Sequence, residues 1–369
     1  MKRWPAARAR RHPARKLLAL AGAAAAMPLF AAVVNPGIAS SAAAPLDCSS
    51  SFNPYSFTPA QLSSCGITTF PQASTNGLAA GGSTVNYTVN GDLVQILIPP
   101  AGFDPSTASA AQLDQYGFPP PPKDPDALAQ WQAMMSNWAG SAPAPPFLAE
   151  TTGTADTIYF SNWSGYMVTG PSGRFTQAST NYDEPTFGSS RCSTNSEVTW
   201  AGIGGPGGTA IGQDGTAHNF PGLANHQAWW EVVPDVKVTA INLTTAAGHN
   251  FFASTRRITG GYQFFVEDMA TNSSQALNVN TSSYSGVSAE AIAERPTLDV
   301  GGLTNLSNFG TLTFTQSLAN GNGINTYNPS GIRHGVHMTS NGSSTGTPLA
   351  DPSAIGSGGS FTDTQKSCN

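Results

Sequence analysis

Between about residue 151 and residue 369 the apolar residues do not recur at the three- and four-residue steps of a helix, and this constrains the fold more than any other feature. Short β-branched or aromatic runs, such as residues 198–203, 263–266 and 311–315, are separated by Gly, Ser, Thr and Asn. Runs of that length bounded by turn-formers are strands. At about 219 residues the stretch is large for an immunoglobulin module and fits an all-β jelly roll, two sheets around one core. No internal repeat divides it. It holds eight Lys and Arg against 14 Asp and Glu. Few native ion pairs would therefore be lost when carboxylates are protonated, and acid tolerance is expected.

The preceding stretch reads differently. Residues 44–150 contain one strand-like run, 93–98, and two helix candidates separated by the prolines of 119–122. In the second helix Leu128, Trp131, Met134, Met135 and Trp138 share one face, and that face needs a partner. The Pro- and Ala-rich residues 141–146 read as a linker or processing site, with cleavage expected between Pro143 and Asp156. Near the start, Lys2, Arg3, Arg8, Arg10, Arg11, Arg15 and Lys16 precede an uncharged apolar stretch at 17–34 and a run of small residues, the order of regions in a signal peptide. The expected organisation is a signal peptide at 1–43, a small propeptide of mixed helix and strand at 44–150, and a β-sandwich domain at 151–369. The propeptide would serve as inhibitor or folding aid; kept after secretion, it would instead be a permanent accessory domain. The expected product is a secreted, extracellular monomer.

Seven of the 16 Lys and Arg residues sit in the leader with no acid among them, so a formal charge of −5 for the whole chain becomes −12 without it. An acidic surface with no basic stripe excludes nucleic acid as a partner. No second apolar run reaches the roughly 20 residues of a spanning helix, so no membrane is expected to hold the chain once the leader is gone. The four cysteines, Cys48, Cys65, Cys192 and Cys368, are an even set in an exported chain, which favours disulfides over metal ligation. Of three pairings, Cys48 with Cys65 and Cys192 with Cys368 is the expected one; it closes a short N-terminal loop and ties the C-terminal tail to the domain.

Several hydrolytic signatures are missing: there is no Gly-x-Ser-x-Gly elbow, no His-Glu-x-x-His helix, and no Asp-Thr-Gly or Asp-Ser-Gly. His334 and His337 have no acid within ten positions, so neither a metal nor another cofactor is expected. The richest stretch runs through Thr199-Trp200-Ala201-Gly202-Ile203-Gly204-Gly205, Ala210-Ile211-Gly212-Gln213-Asp214-Gly215 and Ala228-Trp229-Trp230-Glu231-Val232-Val233-Pro234-Asp235. Period-two alternation puts Trp229 and Glu231 on one face, a carboxylate beside an indole. In Ser288-Ala289-Glu290-Ala291-Ile292-Ala293-Glu294 it puts Glu290, Ile292 and Glu294 on one face and three alanines on the other. Glu290 and Glu294 then lie roughly 13 Å apart along the strand, too far to share a proton, so each must find its partner on another strand.

These blocks, together with Asn162-Trp163-Ser164-Gly165, resemble the glutamic peptidases of the G1 type, the eqolisins, in order and spacing over residues 160–365. Asn162 to Gly165 is similar to the family's N-W-A-G, Trp200 to Gly205 to W-V-G-I-D-G, Ala210 to Gly215 to A-I-L-Q-T-G, Ala228 to Asp235 to A-W-Y-E-W-Y-P-D, and Ala289 to Glu294 to A-E-W-I-V-E. The resemblance implies a concanavalin A-like jelly-roll sandwich of two antiparallel sheets with its site on a concave face, and an acid endopeptidase acting on polypeptides. It places the catalytic Gln at Gln213 and the catalytic Glu at Glu290, with Trp163, Trp200, Trp229 and Glu231 as substrate-binding residues. The chemistry is coherent without the family name. A carboxylate can take a proton from an attacking water and pass it to the leaving nitrogen, while a carboxamide, neutral at any pH, donates to the oxyanion.

The chain departs from the family's pattern at three positions that bear on the site. Gly204 and Ala217 stand where the family has Asp, which bears on the pH optimum; Asp214 is a candidate to replace one of them. Ala291 stands where the family has Trp, which would shorten the hydrophobic wall. Two rival readings remain at this stage: a jelly-roll glycoside hydrolase, weakened by Ile292 between the two acids, and a lectin-like binding module. Sequons occur at Asn162 and Asn242.

Overall fold

The computed structural model describes residues 82–138 and 156–369, except 90, 188–191, 193–194, 244, 298–301 and 328–330, together with residue 60 and the backbone of 72–74. The signal peptide at 1–43, Cys48, Cys65 and the linker at 141–146 lie outside the described residues. In chain order the strands begin with β1 (Gln72–Ser74), β2 (Ser83–Val89) and β3 (Asp92–Ile98), followed by helices α1 (Ala110–Tyr116) and α2 (Pro125–Trp138). Then come β4 (Asp156–Phe160), β5 (Trp163–Thr169), β6 (Gln177–Asp183), β7 (Glu197–Gly204), β8 (Ile211–His218), β9 (Gln227–Val233) and β10 (Val236–Ala240). The remainder are β11 (Asn250–Ile258), β12 (Gly261–Asp268), β13 (Ser273–Asn280), β14 (Ser288–Glu294), β15 (Thr311–Ala319), β16 (Asn322–Gly323), β17 (Ile332–Thr339), β18 (Pro348–Pro352) and β19 (Phe361–Gln365).

The expected all-β sandwich is present. Its front sheet runs β10–β9–β8–β7–β14–β5–β17–β4 and its back sheet β3–β13–β12–β11–β6–β15–β19–β18. Two details differ from two separate antiparallel sheets. First, β18 pairs with β19 and with the end of β17, so the hydrogen-bond ladder turns one corner from sheet to sheet. Second, β4 pairs parallel to β17, because Ser161 and Asn162 carry the chain across the end of β17 before β5 returns antiparallel on its other side.

Alternation decides what fills the space between the sheets. Ala289, Ala291 and Ala293 of β14 turn inward with Tyr166, Ala201, Ile203, Trp230 and Val232 of the front sheet, against Tyr182, Phe251, Ala253, Tyr262, Phe264 and Val266 of the back sheet. The small side chains of β14 leave room for the aromatic ones; Trp230 stacks on Phe264 with ring centroids 5.7 Å apart. The Cys192–Cys368 disulfide forms as expected, with Cα atoms 5.8 Å apart, and ties the C-terminal tail to the segment before β7.

The expected helices also form. Ser109 and Gln112 make a reciprocal capping box at the start of α1, and Gly117 ends it at φ +79°. In α2, Trp131, Met134 and Met135 are buried on one face, as their spacing requires. Their partner is the outer face of the back sheet: Phe252, Phe265, Met269 and Ala276 join Leu113, Tyr116, Phe118 and Leu97 in a second core. No helix among the described residues is long and apolar enough to cross a membrane.

Candidate active site

The outer face of the front sheet carries the residues expected at the site, and strand register brings them together. Across the sheet, His334 of β17 lies opposite Met167 of β5, Met167 opposite Glu290 of β14, Glu290 opposite Gly202 of β7, Gly202 opposite Gln213 of β8, and Gln213 opposite Glu231 of β9. Strands sit about 4.8 Å apart, so the backbones of Glu290 and Gln213 are separated by about 10 Å, with a position that has no side chain between them. Two residues along, the next row reads Gly165, Ile292, Trp200, Gly215, Trp229; the row after it reads Trp163, Glu294, Val198, Ala217, Gln227. Three adjacent rows of one face therefore hold all six residues expected from the sequence.

Gly202 is required by its neighbours rather than by its backbone. A Cβ there would come 2.6 Å from Cζ3 of Trp200 and 3.3 Å from Cβ of Gln213, because the indole lies over the glycine. The ring is held in place by its nitrogen: Trp200 Nε1 donates to Glu294 Oε2 at 2.8 Å, and Asn162 Nδ2 donates to Glu294 Oε1 at 3.0 Å. Trp163 meets Trp200 edge-on, with centroids 5.1 Å apart, and stacks on Phe160.

A cavity of about 460 Å³ opens on this face, lined by Trp163, Gln213, Trp229, Glu231 and Glu294 together with the apolar Phe220 and Val238. Trp200 and Glu290 do not line it; both are fully buried on the same face of the sheet. Gln213 Nε2 donates to Glu231 Oε2 at 2.7 Å, which fixes the orientation of the carboxamide and leaves its second N–H uncommitted by that bond. Among the described residues neither Glu290 oxygen accepts a hydrogen bond of full geometry, the neighbouring Ser288 hydroxyl interacting only weakly with the carboxyl. Burial pushes this carboxyl well above the usual carboxylate range, and the Ser288 hydroxyl, two residues away on the same face, offsets only part of the rise. Burial likewise pushes Glu294 up to about 8, against the lowering effect of its Asn162 and Trp200 bonds. Both acids are therefore protonated in acid.

The positions where the chain departs from the family's pattern now have physical accounts. Gly204 has φ +102°, and a Cβ there would run into the Ala210 carbonyl oxygen and the Ser285 hydroxyl, so no aspartate fits. Ala217 is buried on the site face with Val198 and Trp229, in a spot too apolar for an unpaired carboxylate. Asp214 does not replace either. It alternates onto the opposite face and accepts from Thr255 Oγ1 at 2.8 Å and the Phe265 amide at 3.1 Å, and burial raises it to about 8. Ala291 does not shorten the cavity wall, because it too faces the inter-sheet core. His334 and His337, three apart on β17, point to opposite faces; His334 Nε2 meets Thr169 Oγ1 at 2.9 Å and His337 Nδ1 meets Asp351 Oδ1 at 2.8 Å.

Glu294 is the site residue that the sequence reading assigned no role. Its place on the face of Glu290 was readable from period two; its bonds to Trp200 and Asn162 depend on β5, β14 and β7 lying side by side.

The family model described as Peptidase A4 family matches residues 161–358. No curated protein sequence matches the chain. Among solved structures it is similar to scytalido-glutamic peptidase with a transition state analog inhibitor, and to the same peptidase with a peptide-based analog, each at 20% identity and a TM-score of 0.45. A third is SCP-B, a member of the eqolisin family of peptidases, in complex with the tripeptide Ala-Ile-His, at 20% identity and a TM-score of 0.43. Each match covers 56% of this chain and 100% of the other.

Proposed function

This chain belongs to the Peptidase A4 family, and we propose that it is a secreted glutamic endopeptidase that hydrolyses polypeptides in mild acid. The observation that carries the reading is the row Glu290, Gly202, Gln213: a carboxyl and a carboxamide flank a position without a side chain, on the face under the cavity. In its ionised form Glu290 takes a proton from water as the water oxygen attacks the scissile carbonyl carbon. The carbonyl electron pair moves onto oxygen, and the resulting oxyanion accepts the Gln213 N–H not engaged by Glu231, an interaction worth roughly 3 kcal/mol in comparable sites. Glu290 then gives its proton to the leaving nitrogen as the carbon–nitrogen bond breaks, and returns to the carboxylate. Trp163, Trp229, Phe220 and Val238 hold substrate side chains in the cavity.

The burial of Glu290 sets the working pH. A base whose carboxyl titrates well above the ordinary range is mostly protonated in strong acid, so the rate climbs with pH toward that raised value. A retaining glycoside hydrolase is disfavoured, since Glu294, the other acid on the strand, is engaged by Trp200 and Asn162. Incubation with denatured protein between about pH 2 and 6, in the presence of pepstatin and a chelator, tests the proposal. New cuts are expected, and they should vanish in Glu290→Gln and Gln213→Ala. Undiminished cleavage by either folded variant would refute the assignment.

A further inference from the structure

Residues 82–138 lie outside the stretch matched by the family model and were expected to form part of a removable propeptide. Their contacts point elsewhere. The hairpin of β2 and β3 pairs with β13, Val94 to Leu97 lying opposite Val279 to Ala276, and so closes an edge of the back sheet whose N–H and C=O groups would otherwise be free. Tyr87, Val89 and Val94 of the hairpin are part of the central core between the sheets, beside Leu277 and Val279. On the outer face, Trp131, Met134 and Met135 of α2 and Tyr116 of α1 cover Phe252 and Phe265. The approach is close at Gly117, where a Cβ would come 2.5 Å from Cβ of Ala276. Polar contacts pin the margins: Asp114 pairs with Arg256 at 2.7 Å, and the Lys123 and Asp124 amides donate to the Gly321 carbonyl at 2.6 and 3.2 Å. None of the described residues among 82–138 lines the cavity, which opens on the other side of the sandwich.

We infer that residues 82–138 are a permanent lobe of the enzyme, held on the back sheet after any cut in the chain that follows them, and not an inhibitor released from the cleft. A segment that supplies side chains to the main core, a strand to an open edge and a cover for two phenylalanines cannot leave without baring a large apolar surface. The inference does not depend on the peptidase reading.

The test places a cleavage site for a sequence-specific protease within residues 139–155 of the full chain, in the native sequence and in a Glu290→Gln background that prevents self-digestion. After the cut, size-exclusion chromatography in acid and neutral native buffer, with intact-mass detection, should show both fragments in one peak that only denaturant separates. In the cut protein Leu97→Asp with Met135→Asp should free the N-terminal fragment and lower the unfolding midpoint by roughly 10 °C or more. Arg256→Ala, which removes the marginal ion pair with Asp114 and the Arg256 bond to Gln263 within the back sheet, should leave the fragments together. Release of the native fragment in native buffer, whatever becomes of the remainder, overturns the inference. Because neither readout uses hydrolysis by the chain itself, a failure here is distinct from a failure of the proposed function.

Discussion

Replacing Gly202 by Ala adds one methyl group to the position between Glu290 and Gln213. Gly202 has no left-handed backbone to strain, so the effect is steric alone. The new Cβ would stand 2.6 Å from Cζ3 and 3.0 Å from Cε3 of Trp200, closer than carbon atoms approach, and the ring cannot swing away without breaking the 2.8 Å bond from its Nε1 to Glu294. Overpacking of this kind costs about 1–3 kcal/mol; an indole N–H left buried and unpaired adds about 1–3 kcal/mol if the ring does move. The methyl also lies 3.3 Å from Cβ of Gln213. A displacement of the carboxamide by about 1 Å is enough to lower kcat/KM by about 10²-fold. Thermal unfolding and peptide hydrolysis, measured on Gly202→Ala, Trp200→Leu and the double variant, separate the two effects. The smaller side chain makes room for the methyl, so the double variant should be more stable than the sum of the single losses by about 1 kcal/mol or more. Wild-type stability and wild-type kcat/KM in Gly202→Ala would refute the placement of the ring over Gly202.

Other consequences are more quickly stated. Burial raises Glu197 and Glu290 and holds Asp214, Glu267 and Glu294 near 8, so the folded chain binds protons that the unfolded chain releases above about pH 4. Their stabilisation is full in acid and lost as pH rises from about 4 to 8. His218, held near 4 by burial, and His334, also lowered by burial, oppose this below about pH 6.5, but they are two groups against five carboxyls. The unfolding midpoint should thus fall between pH 4 and 8; a rise over that range would contradict the burial of these carboxyls. Glu294→Gln keeps an acceptor for Trp200 and should differ little from the native protein in acid. Glu294→Ala leaves the indole N–H unpaired, and should cost about 1–3 kcal/mol and shift the tryptophan emission. Replacing Cys192 and Cys368 by Ser opens a closure of 176 residues and should cost about 2–5 kcal/mol in chemical denaturation.

Period two alone was enough to place Glu290 and Glu294 on one face and the three alanines on the other, and the same rule already set Ala291 and Asp214 away from the site. Assigning those two to the cavity followed the family's pattern against the alternation of the strand itself. What alternation cannot supply is register. That Gly202 lies between Glu290 and Gln213 depends on β14 inserting between β5 and β7, strands far apart in the chain, and no local property of residues 199–205 encodes it. The apolar face of α2 was visible in the same way, while its partner was not: Phe252 and Phe265 become an outer patch only when β11 and β12 lie side by side. Acid tolerance was inferred from the shortage of basic residues. Carboxyls buried in protonated form, which would add to it, are a matter of tertiary burial that composition does not carry.

The central claim is that a buried Glu290 is the base and that its environment sets the pH at which the enzyme works. The direct measurement is the pH dependence of kcat/KM for the native protein and for Ser288→Ala. Because burial raises the carboxyl and the Ser288 hydroxyl lowers it, the acid limb of the native profile should titrate above 4.5 and that of Ser288→Ala higher still. An acid limb at or below 4.5 that Ser288→Ala leaves in place would contradict the account.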